Sequence, residues 1–349
     1  MKQPKISIIV PTHNTPPERL LRVLKAIKAN TDVPYELVIV DTSRNPALIS
    51  SLADEFNATF LHPPERGLGA KWNLGAKVTT APVLAFTSDD IYVESKWASV
   101  GLSYLRGKVK LVSGKLLAAG RRGVINAAGS YTDVFGVSWN RGIDEPDDGR
   151  YNTPELIFRV VGAIFLIDRN VFNEIGGFDE SYYLYAEDLD ICWRLRLAGY
   201  DCEYVPKMRA FHEWMATTTK DTSLFSQYYY LLERNRLQTL LKNYSARGLL
   251  SIMPWYLIIK GGHLIWLVAH GQAVETKRLL RAYVWIARNR KEITRKRRLT
   301  QRLRRRNDQE IQQLMLKLPA ELLLGLGFFK HPLVEAARKR KLLRESVRR

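Results

Sequence analysis

Ile6-Ser7-Ile8-Ile9-Val10-Pro11-Thr12-His13-Asn14 is a short β-branched run stopped by a proline and followed by polar residues. Such a run predicts a strand buried on both faces, ending where the ring of Pro11 cannot continue the ladder. From Leu20 to Ile27 apolar residues recur at helical spacing. Leu37-Val38-Ile39-Val40 reads as a second strand, closed by Asp41-Thr42-Ser43. A helix is expected from Pro46 to Phe56, a brief strand over Thr59-Phe60-Leu61, and a helix from Gly69 to Val78. Val83-Leu84-Ala85-Phe86 is a fourth strand running into Asp89-Asp90. This β-α-β-α rhythm argues for an α/β fold with a mostly parallel sheet flanked by helices. Ligands of such sheets gather at the carboxyl ends of the strands. Thr12, Asp41 and Asp89-Asp90 all fall there.

Further along, Leu111 to Asn152 is Gly-rich and irregular, with short strand-like pieces and an acidic turn at Asp144 to Asp148. Val160 to Ile167 predicts another buried strand, and Asn170 to Ile175 a short helix closed by Gly176-Gly177. Glu187 to Ala198 predicts a helix stopped by Gly199, and Cys202 to Val205 a last strand before His212. After about Thr218 the pattern is wholly helical: Leu224 to Lys242, the apolar Leu249 to Ala269, the basic Lys277 to Arg306, and a mixed tail to Arg349. The expected organisation is therefore a catalytic domain over 1–218 and a helical, basic extension over 219–349.

Of the 349 residues, 46% are hydrophobic and 10% aromatic, which supports a substantial core and excludes disorder of the whole chain. The net charge of +19 is unevenly placed: Lys277 to Arg306 holds fourteen basic residues against one acid, Glu292, a local net of +13. So dense a block seeks phosphates, on nucleic acid or on an anionic membrane. Two cysteines, Cys192 and Cys202, are too few for a disulfide framework and fit a reducing, cytosolic setting. The N-terminus lacks the apolar core and cleavage site of a signal peptide. Leu249 to Ala269 is interrupted by Pro254, Lys260, Gly261, Gly262 and His263, and Leu322 to Phe329 is short, so neither reads as a clean membrane span. Both are expected to be interfacial or docked helices.

Candidate chemistry starts with Asp89-Asp90. Adjacent carboxylates after a buried strand repel one another, and a divalent cation with hard oxygen ligands, Mg2+ or Mn2+, relieves that and can clamp a diphosphate. A solvated loop or helix cap is the plainer alternative. Asp41 can accept from the N–H of a nucleobase, or can serve as a turn former. Glu65 to Asn73 opens a helix with glycines that permit close backbone approach and cations, Arg66 and Lys71, that suit a phosphate or ribose. It is neither a P-loop nor a dinucleotide fingerprint. Gly176 to Glu180 leads through Tyr182 and Tyr185 into Glu187-Asp188: an aromatic-lined loop ending in two acids, one able to take a proton from an acceptor hydroxyl. Acids in a first helical turn are also favoured by the macrodipole alone.

The order Ile-Ile-Val-Pro-Thr-x-Asn, Val-Asp-x-Ser, Gly-x-x-x-x-x-Asn-x-Gly, Asp-Asp, Gly-Gly-Phe-Asp-Glu and Glu-Asp-x-Asp-x-x-x-Arg resembles family 2 glycosyltransferases with the GT-A fold, over about Ile6 to His212. The Leu231 to Arg236 run and the basic tail look most like the rhamnosyltransferase-like branch that builds surface glycans. The resemblance implies roles. Pro11, Thr12, Asn14, Asp41 and Ser43 would line the nucleoside site with His13, and Arg66, Gly67 and Lys71 its outer edge. Asp90 would be the metal ligand that ends the family's Asp-x-Asp motif, with Asp89 assisting and His212 as a further ligand. Asp188 would be the general base, with Glu187 beside it. Departures are Ser88 at the first Asp of Asp-x-Asp and His13 at a position more usually aromatic or polar. The Gln-x-x-Arg-Trp run of processive synthases is missing near Tyr228 to Arg236, which favours transfer of one sugar.

The function expected is a metal-dependent, inverting transfer from a nucleotide-diphosphate sugar to a glycan or lipid-linked acceptor, by an enzyme peripheral on the cytosolic face of an anionic membrane. Two rivals stand beside it. A sugar nucleotidyltransferase would want a Gly-rich, cationic loop where Pro11-Thr12-His13-Asn14 stands. A nucleic-acid-binding protein would rely on the basic tail, whereas the acids at Asp41, Asp89-Asp90 and Glu187-Asp188 repel phosphates without a metal. No nucleic-acid partner is expected.

Overall fold

The computed structural model describes residues 3–213, 222–317 and 319. The first half alternates as the pattern dictates: β1 (Ile6–Thr12), α1 (Pro17–Asn30), β2 (Tyr35–Asp41), α2 (Ala47–Glu55), β3 (Thr59–Leu61), α3 (Leu68–Lys77) and β4 (Val83–Thr87). β3, β2, β1 and β4 lie side by side, all parallel. Every residue of β1 is buried because its two faces meet different cores. Ile6, Ile8 and Val10 pack with α1, α2 and, further along the chain, Trp97 and Ala98, while Ile9 packs with Trp72 and Ala76 of α3. Period-2 alternation thus serves two apolar faces, which is why no polar position breaks the run except Ser7.

The sheet then widens. β5 (Ile91–Val93) and α4 (Trp97–Tyr104) precede the ten-residue β6 (Val109–Ala118) and the short β7 (Ile125–Ala127). β8 (Ser130–Thr132) and β9 (Ser138–Asn140) form a separate hairpin, followed by β10 (Glu155–Leu156). β11 (Ile164–Asp168) inserts antiparallel between β4 and β6, and α5 (Arg169–Glu174), α6 (Glu187–Leu197) and β12 (Asp201–His212) complete the path β10-β12-β6-β11-β4-β1-β2-β3. Trp72, Phe86, Phe165, Phe172 and Phe178 cluster under α3 and α5.

Three sequence expectations change here. The stretch expected to be irregular contains β6, whose polar centre hid it: Lys115 is buried there because its ammonium meets Asp147 at 2.6 Å, and Gly114 admits the Met208 carbonyl. The strand expected from Val160 starts at Ile164, since Val160 to Ala163 turn toward the acids described below. The last strand does not stop at Val205. It continues through Pro206 to His212 by a register jump between Val205 and Arg209, the irregularity that proline requires inside a sheet.

The C-terminal region is helical: α7 (Thr222–Asn243), α8 (Ala246–Ala269), α9 (Ala273–Arg288), α10 (Arg290–Arg302) and the short α11 (Asp308–Gln312). Leu237, Leu240 and Tyr244 of α7 share one core with Leu189, Trp193 and Leu197 of α6. The boundary expected at 218–219 and the tail beyond residue 319 lie outside the described residues. α8, whose apolar run is not expected to read as a clean span, is one continuous helix of 24 residues through Pro254, and by length and composition it is long and apolar enough to cross a membrane. Its exposed face is apolar, and its buried face includes a charge beside Ile252 and Leu267. Tyr256 and Lys260 face inward, where Lys260 pairs with Glu233 at 3.0 Å, while Leu250, Trp255, Leu257, Ile258, Ile265 and Trp266 are exposed.

The basic stretch is not a uniformly solvated block either. Arg297 donates to the carbonyls of Leu241 and Tyr244, Gln301 to those of Lys242 and Asn243, and Arg304 to that of Asn243. α10 and the residues just after it thereby satisfy carbonyls left open at the end of α7.

Candidate active site

Parallel register sets the ends of β1 and β2 level, with Thr12 opposite Asp41. Thr12 Oγ1 donates to Asp41 Oδ1 at 2.8 Å, and Ser43 Oγ donates to the same oxygen at 2.6 Å. The backbone N–H of Asn14, in the left-handed region at φ 50°, donates to Ser43 Oγ at 2.7 Å. His13 Nδ1 donates to the Thr42 carbonyl at 3.0 Å. One acceptor is left over: Asp41 Oδ2 is buried and has no hydrogen-bond partner. His62 Nδ1, 3.5 Å away, spends its hydrogen on the Asp41 backbone carbonyl at 3.0 Å instead. An unspent, fully buried carboxylate oxygen at a strand end fits an N–H donor from a ligand.

Lys71, on α3, is buried beside this group and donates to the Thr12 carbonyl at 3.1 Å. Burial pushes its ammonium down to about 8, against the pull of Asp89, Asp41 and Glu65. Arg66 Nε is buried without a partner just ahead of α3. Gly67 caps that helix, and a Cβ on it would lie 2.3 Å from the Tyr183 Cα, so only glycine admits the loop that crosses here.

Asp89 and Asp90 are adjacent in sequence but differently employed. Asp89 Oδ2 accepts from Arg19 Nη2 at 2.8 Å and from the Thr15 hydroxyl. Burial and the charge of Asp90 still raise its carboxyl above the usual range. Asp90 turns to β12. His212, the last residue of that strand, pairs with Ile91, and the Glu213 N–H donates to the Asp90 carbonyl at 3.1 Å. This brings His212 Nε2 to 3.5 Å from Asp90 Oδ2. His212 Nδ1 donates to Asn126 Oδ1 at 2.8 Å, which leaves Nε2 facing the carboxylate. Burial works against the Asp90 charge, but His212 and Arg19 outweigh it and hold the carboxyl below its ordinary value.

The second pair of acids starts α6. Asp188 Oδ2 accepts from Arg159 Nη2 at 2.6 Å and from the Gly162 N–H at 3.0 Å, and Oδ1 accepts from the Leu189 N–H at 2.7 Å. Glu187 is the opposite case. Its Oε2 is buried without a partner, and burial, with the neighbouring Asp188 charge, pushes its carboxyl up to about 8. The two acid clusters are tied through consecutive residues: the Gly162 N–H binds Asp188, and the Ala163 carbonyl accepts from the Ser88 N–H at 2.9 Å. The turn before α6 is strained, with positive φ at Tyr183 (43°), Tyr185 (70°) and Ala186 (64°), each costing about 1–3 kcal/mol and persisting only where its surroundings hold it.

Sequence reasoning does not reach Arg19, Asn126, Arg159 and Asn235. Two of them carry a readable signal. Arg19 lies on the buried stripe of α1 with Val23 and Ile27, and Arg159 interrupts an apolar run, both charges that need a partner. Asn126 carries none, because its partner is far away in the chain, and Asn235 stands out only as a member of the Leu231 to Arg236 run, with no role attached to it.

Two family descriptions match this chain: Glycosyl transferase family 2 over residues 7–176, and Glycosyl transferase family group 2 over residues 106–287. A stretch of 81 residues, 22% of the chain, is 36% identical to Rhamnosyltransferase WbbL of Escherichia coli, and 60 residues, 17% of the chain, are 40% identical to N-acetylglucosaminyl-diphospho-decaprenol L-rhamnosyltransferase of Mycobacterium tuberculosis. These alignments span only 30% and 20% of those two proteins. The solved structure of GalNAc-T7 with UDP, GalNAc and Mn2+ superposes on 71% of this chain and 49% of its own, with a TM-score of 0.56 at 16% identity, a likeness of fold. With two family matches that together run from residue 7 to residue 287, and the GT-A type sheet beneath the site, the chain belongs to the family 2 glycosyltransferases.

Proposed function

We propose that this enzyme moves one hexose or deoxyhexose from a nucleotide-diphosphate sugar to a hydroxyl of a glycan or lipid-linked acceptor, with inversion and with Mg2+ or Mn2+ at Asp90 and His212. The observation that carries the reading is the Asp90–His212 pair at the strand end, with the second histidine nitrogen tied to Asn126. A carboxylate oxygen beside an imidazole nitrogen of fixed tautomer is a suitable pair of ligands. Among the described residues no cluster of three or more such side chains accompanies it. That fits a cation that completes its shell with waters and substrate phosphates rather than a closed protein cage. The domain division at 218–219 belongs to the same proposal.

In this mechanism the nucleobase donates to the free Asp41 oxygen, and Lys71 and Arg66 face the phosphates. When bound, the divalent cation supplies positive charge that offsets the charge on the departing diphosphate. Asp188 takes the proton of the acceptor hydroxyl, whose oxygen attacks the anomeric carbon as the bond to the diphosphate breaks on the opposite face. Arg159 keeps Asp188 oriented throughout. Glu187, neutral below pH 8, can donate a hydrogen bond from its unpaired side.

The lipid-linked acceptor is supported by the name of the mycobacterial relative, and a peripheral position on a membrane by the exposed apolar face of α8; the cytosolic face and anionic lipid remain part of the proposal. The acids that line the site speak against a nucleic-acid substrate. The test is release of nucleoside diphosphate from a panel of UDP-, GDP- and dTDP-sugars, with and without Mn2+. Metal-dependent hydrolysis of at least one donor is expected. Hydrolysis that is indifferent to chelation would remove the metal from the proposal.

A further inference from the structure

Asn235, on α7, sits against the turn that leads into Glu187 and Asp188. Its Nδ2 lies 3.2, 2.8 and 2.7 Å from the carbonyl oxygens of Tyr182, Leu184 and Tyr185. Its Oδ1 accepts from Arg234 Nε at 2.8 Å, which fixes the amide's orientation. A reversed amide would set its oxygen against three carbonyl oxygens. Arg234 also donates through Nη2 to the Ser181 carbonyl at 3.0 Å, and its guanidinium lies over Trp285 of α9. Two consecutive residues of α7 therefore bind four carbonyls of one short loop.

Those carbonyls converge because Tyr183, Tyr185 and Ala186 have positive φ. A backbone of that shape needs a donor where its oxygens meet. On the other side the Tyr183 carbonyl accepts from the Leu68 N–H at 2.7 Å, at the start of α3. The turn is thus pinned between the donor-side helix and α7, and it delivers Glu187 and Asp188 as the first residues of α6.

We infer that Asn235 is a positioning residue for sugar transfer, holding the 182–186 turn in the strained shape that aims Asp188. It acts through the turn and need not touch substrate. The inference rests on the reading of Asp188 as the base, and it makes α7, within the expected extension, part of the catalytic machinery.

The test uses the full-length chain with Asn235→Asp, isosteric but without the donor, and Asn235→Ala, with Asp188→Asn alongside. The probes are Mn2+-dependent binding of nucleoside diphosphate, hydrolysis of the best nucleotide sugar from the panel, and amide hydrogen exchange. The hydroxyl of the turn residue Tyr182 stays held by Thr239, and Asp179 by Lys242, so the variants should fold. Expected is a fall in kcat of about 10–100-fold, since a displacement of about 1 Å can cost that much. KM for the donor and diphosphate affinity should stay within about twofold, with faster exchange confined to the 182–188 segment. Wild-type kcat in both variants, while Asp188→Asn is impaired, would overturn the positioning role and leave the base in place. Diphosphate affinity falling in step with kcat, with exchange rising along all of α7, would overturn it too, as general loosening. Unimpaired hydrolysis by Asp188→Asn would sink the reading of the base, and the inference with it.

Discussion

His212 Nε2 stands 3.5 Å from Asp90 Oδ2, while His212 Nδ1 is held at 2.8 Å by Asn126. If this pair binds the cation, Asp90→Ala should abolish the gain in nucleoside-diphosphate affinity that Mn2+ gives. Asn126→Ala, which frees the imidazole, should weaken metal affinity by about 10–100-fold, as loss of an outer partner does. Calorimetric titration with and without Mn2+ reads both. Metal-dependent affinity unchanged in Asp90→Ala would rule that residue out as the principal ligand.

Asp188→Asn should cut turnover by about 10²–10⁴-fold, the contribution of a general base. Donor binding should survive, because the carboxylate's partners are Arg159, Gly162 and Leu189 rather than any donor-side residue. Steady-state hydrolysis and diphosphate binding, measured together, separate the two. Lost binding, or turnover near that of the wild type, would each count against the mechanism.

Glu187 gives a prediction about stability. Its carboxyl is pushed up to about 8 in the fold, by burial first and then by Asp188, against an ordinary value of 4.5. Between those values the native chain holds a proton that the unfolded chain has released, so stability falls as pH rises through that window. Below 4.5 both states are protonated and the cost vanishes. Glu187→Gln should therefore melt higher than the wild type at pH 8, by at least about 1 kcal/mol, with the difference shrinking toward pH 5. A difference in Tm that does not vary with pH would contradict the raised carboxyl.

Lys71 supplies the matching prediction for binding. With its ammonium lowered to about 8, mainly by burial, its positive charge is lost as pH rises through that value. Nucleoside-diphosphate affinity in Mg2+ should weaken between pH 7 and 9. Lys71→Met should bind more weakly at pH 7 and show a flatter profile. Parallel profiles for the two proteins would mean that Lys71 does not face the phosphates.

How far the sequence carries depends on how local the determinant is. β1, β2 and β4 and the helices between them are legible because burial on both faces leaves each apolar run uninterrupted, although β1 continues past the stop expected at Pro11 and pairs through Thr12. β6 is not legible, since Lys115 looks like a surface residue until Asp147, 32 positions away, is brought to it. The passage of β12 through Pro206 is hidden for a similar reason: the bulge that tolerates it exists only once β6 is alongside. At the site, the acids announce themselves in pairs. Their different fates are set by Arg19, His212 and Arg159, which arrive from α1, β12 and the lead-in to β11. The role of Asn235 depends wholly on loop carbonyls about fifty residues earlier.

The last prediction concerns α8. Its inward residues include a charged one, Lys260, paired with Glu233, while its outward face carries Leu250, Trp255, Leu257, Ile258, Ile265 and Trp266. A water-facing helix exposes a polar face, and an apolar face bearing tryptophans suits the interface of a bilayer. Part of the neighbouring positive charge is spent inside the protein, on Asp179 by Lys296 and on α7 carbonyls by Arg297 and Arg304. Lys277, Arg288, Arg290, Lys291, Arg298 and Arg302 remain exposed, and each contributes about 1 kcal/mol near an anionic surface before screening. Flotation with vesicles should therefore show binding that needs anionic lipid and weakens in high salt. Leu257→Asp combined with Ile265→Asp should abolish flotation and leave Mn2+-dependent donor hydrolysis intact, because both side chains point away from the fold. A wild-type protein that ignores anionic and neutral vesicles alike would remove the membrane from the proposal. Loss of hydrolysis along with flotation in the double variant would show instead that the exposed face supports the fold.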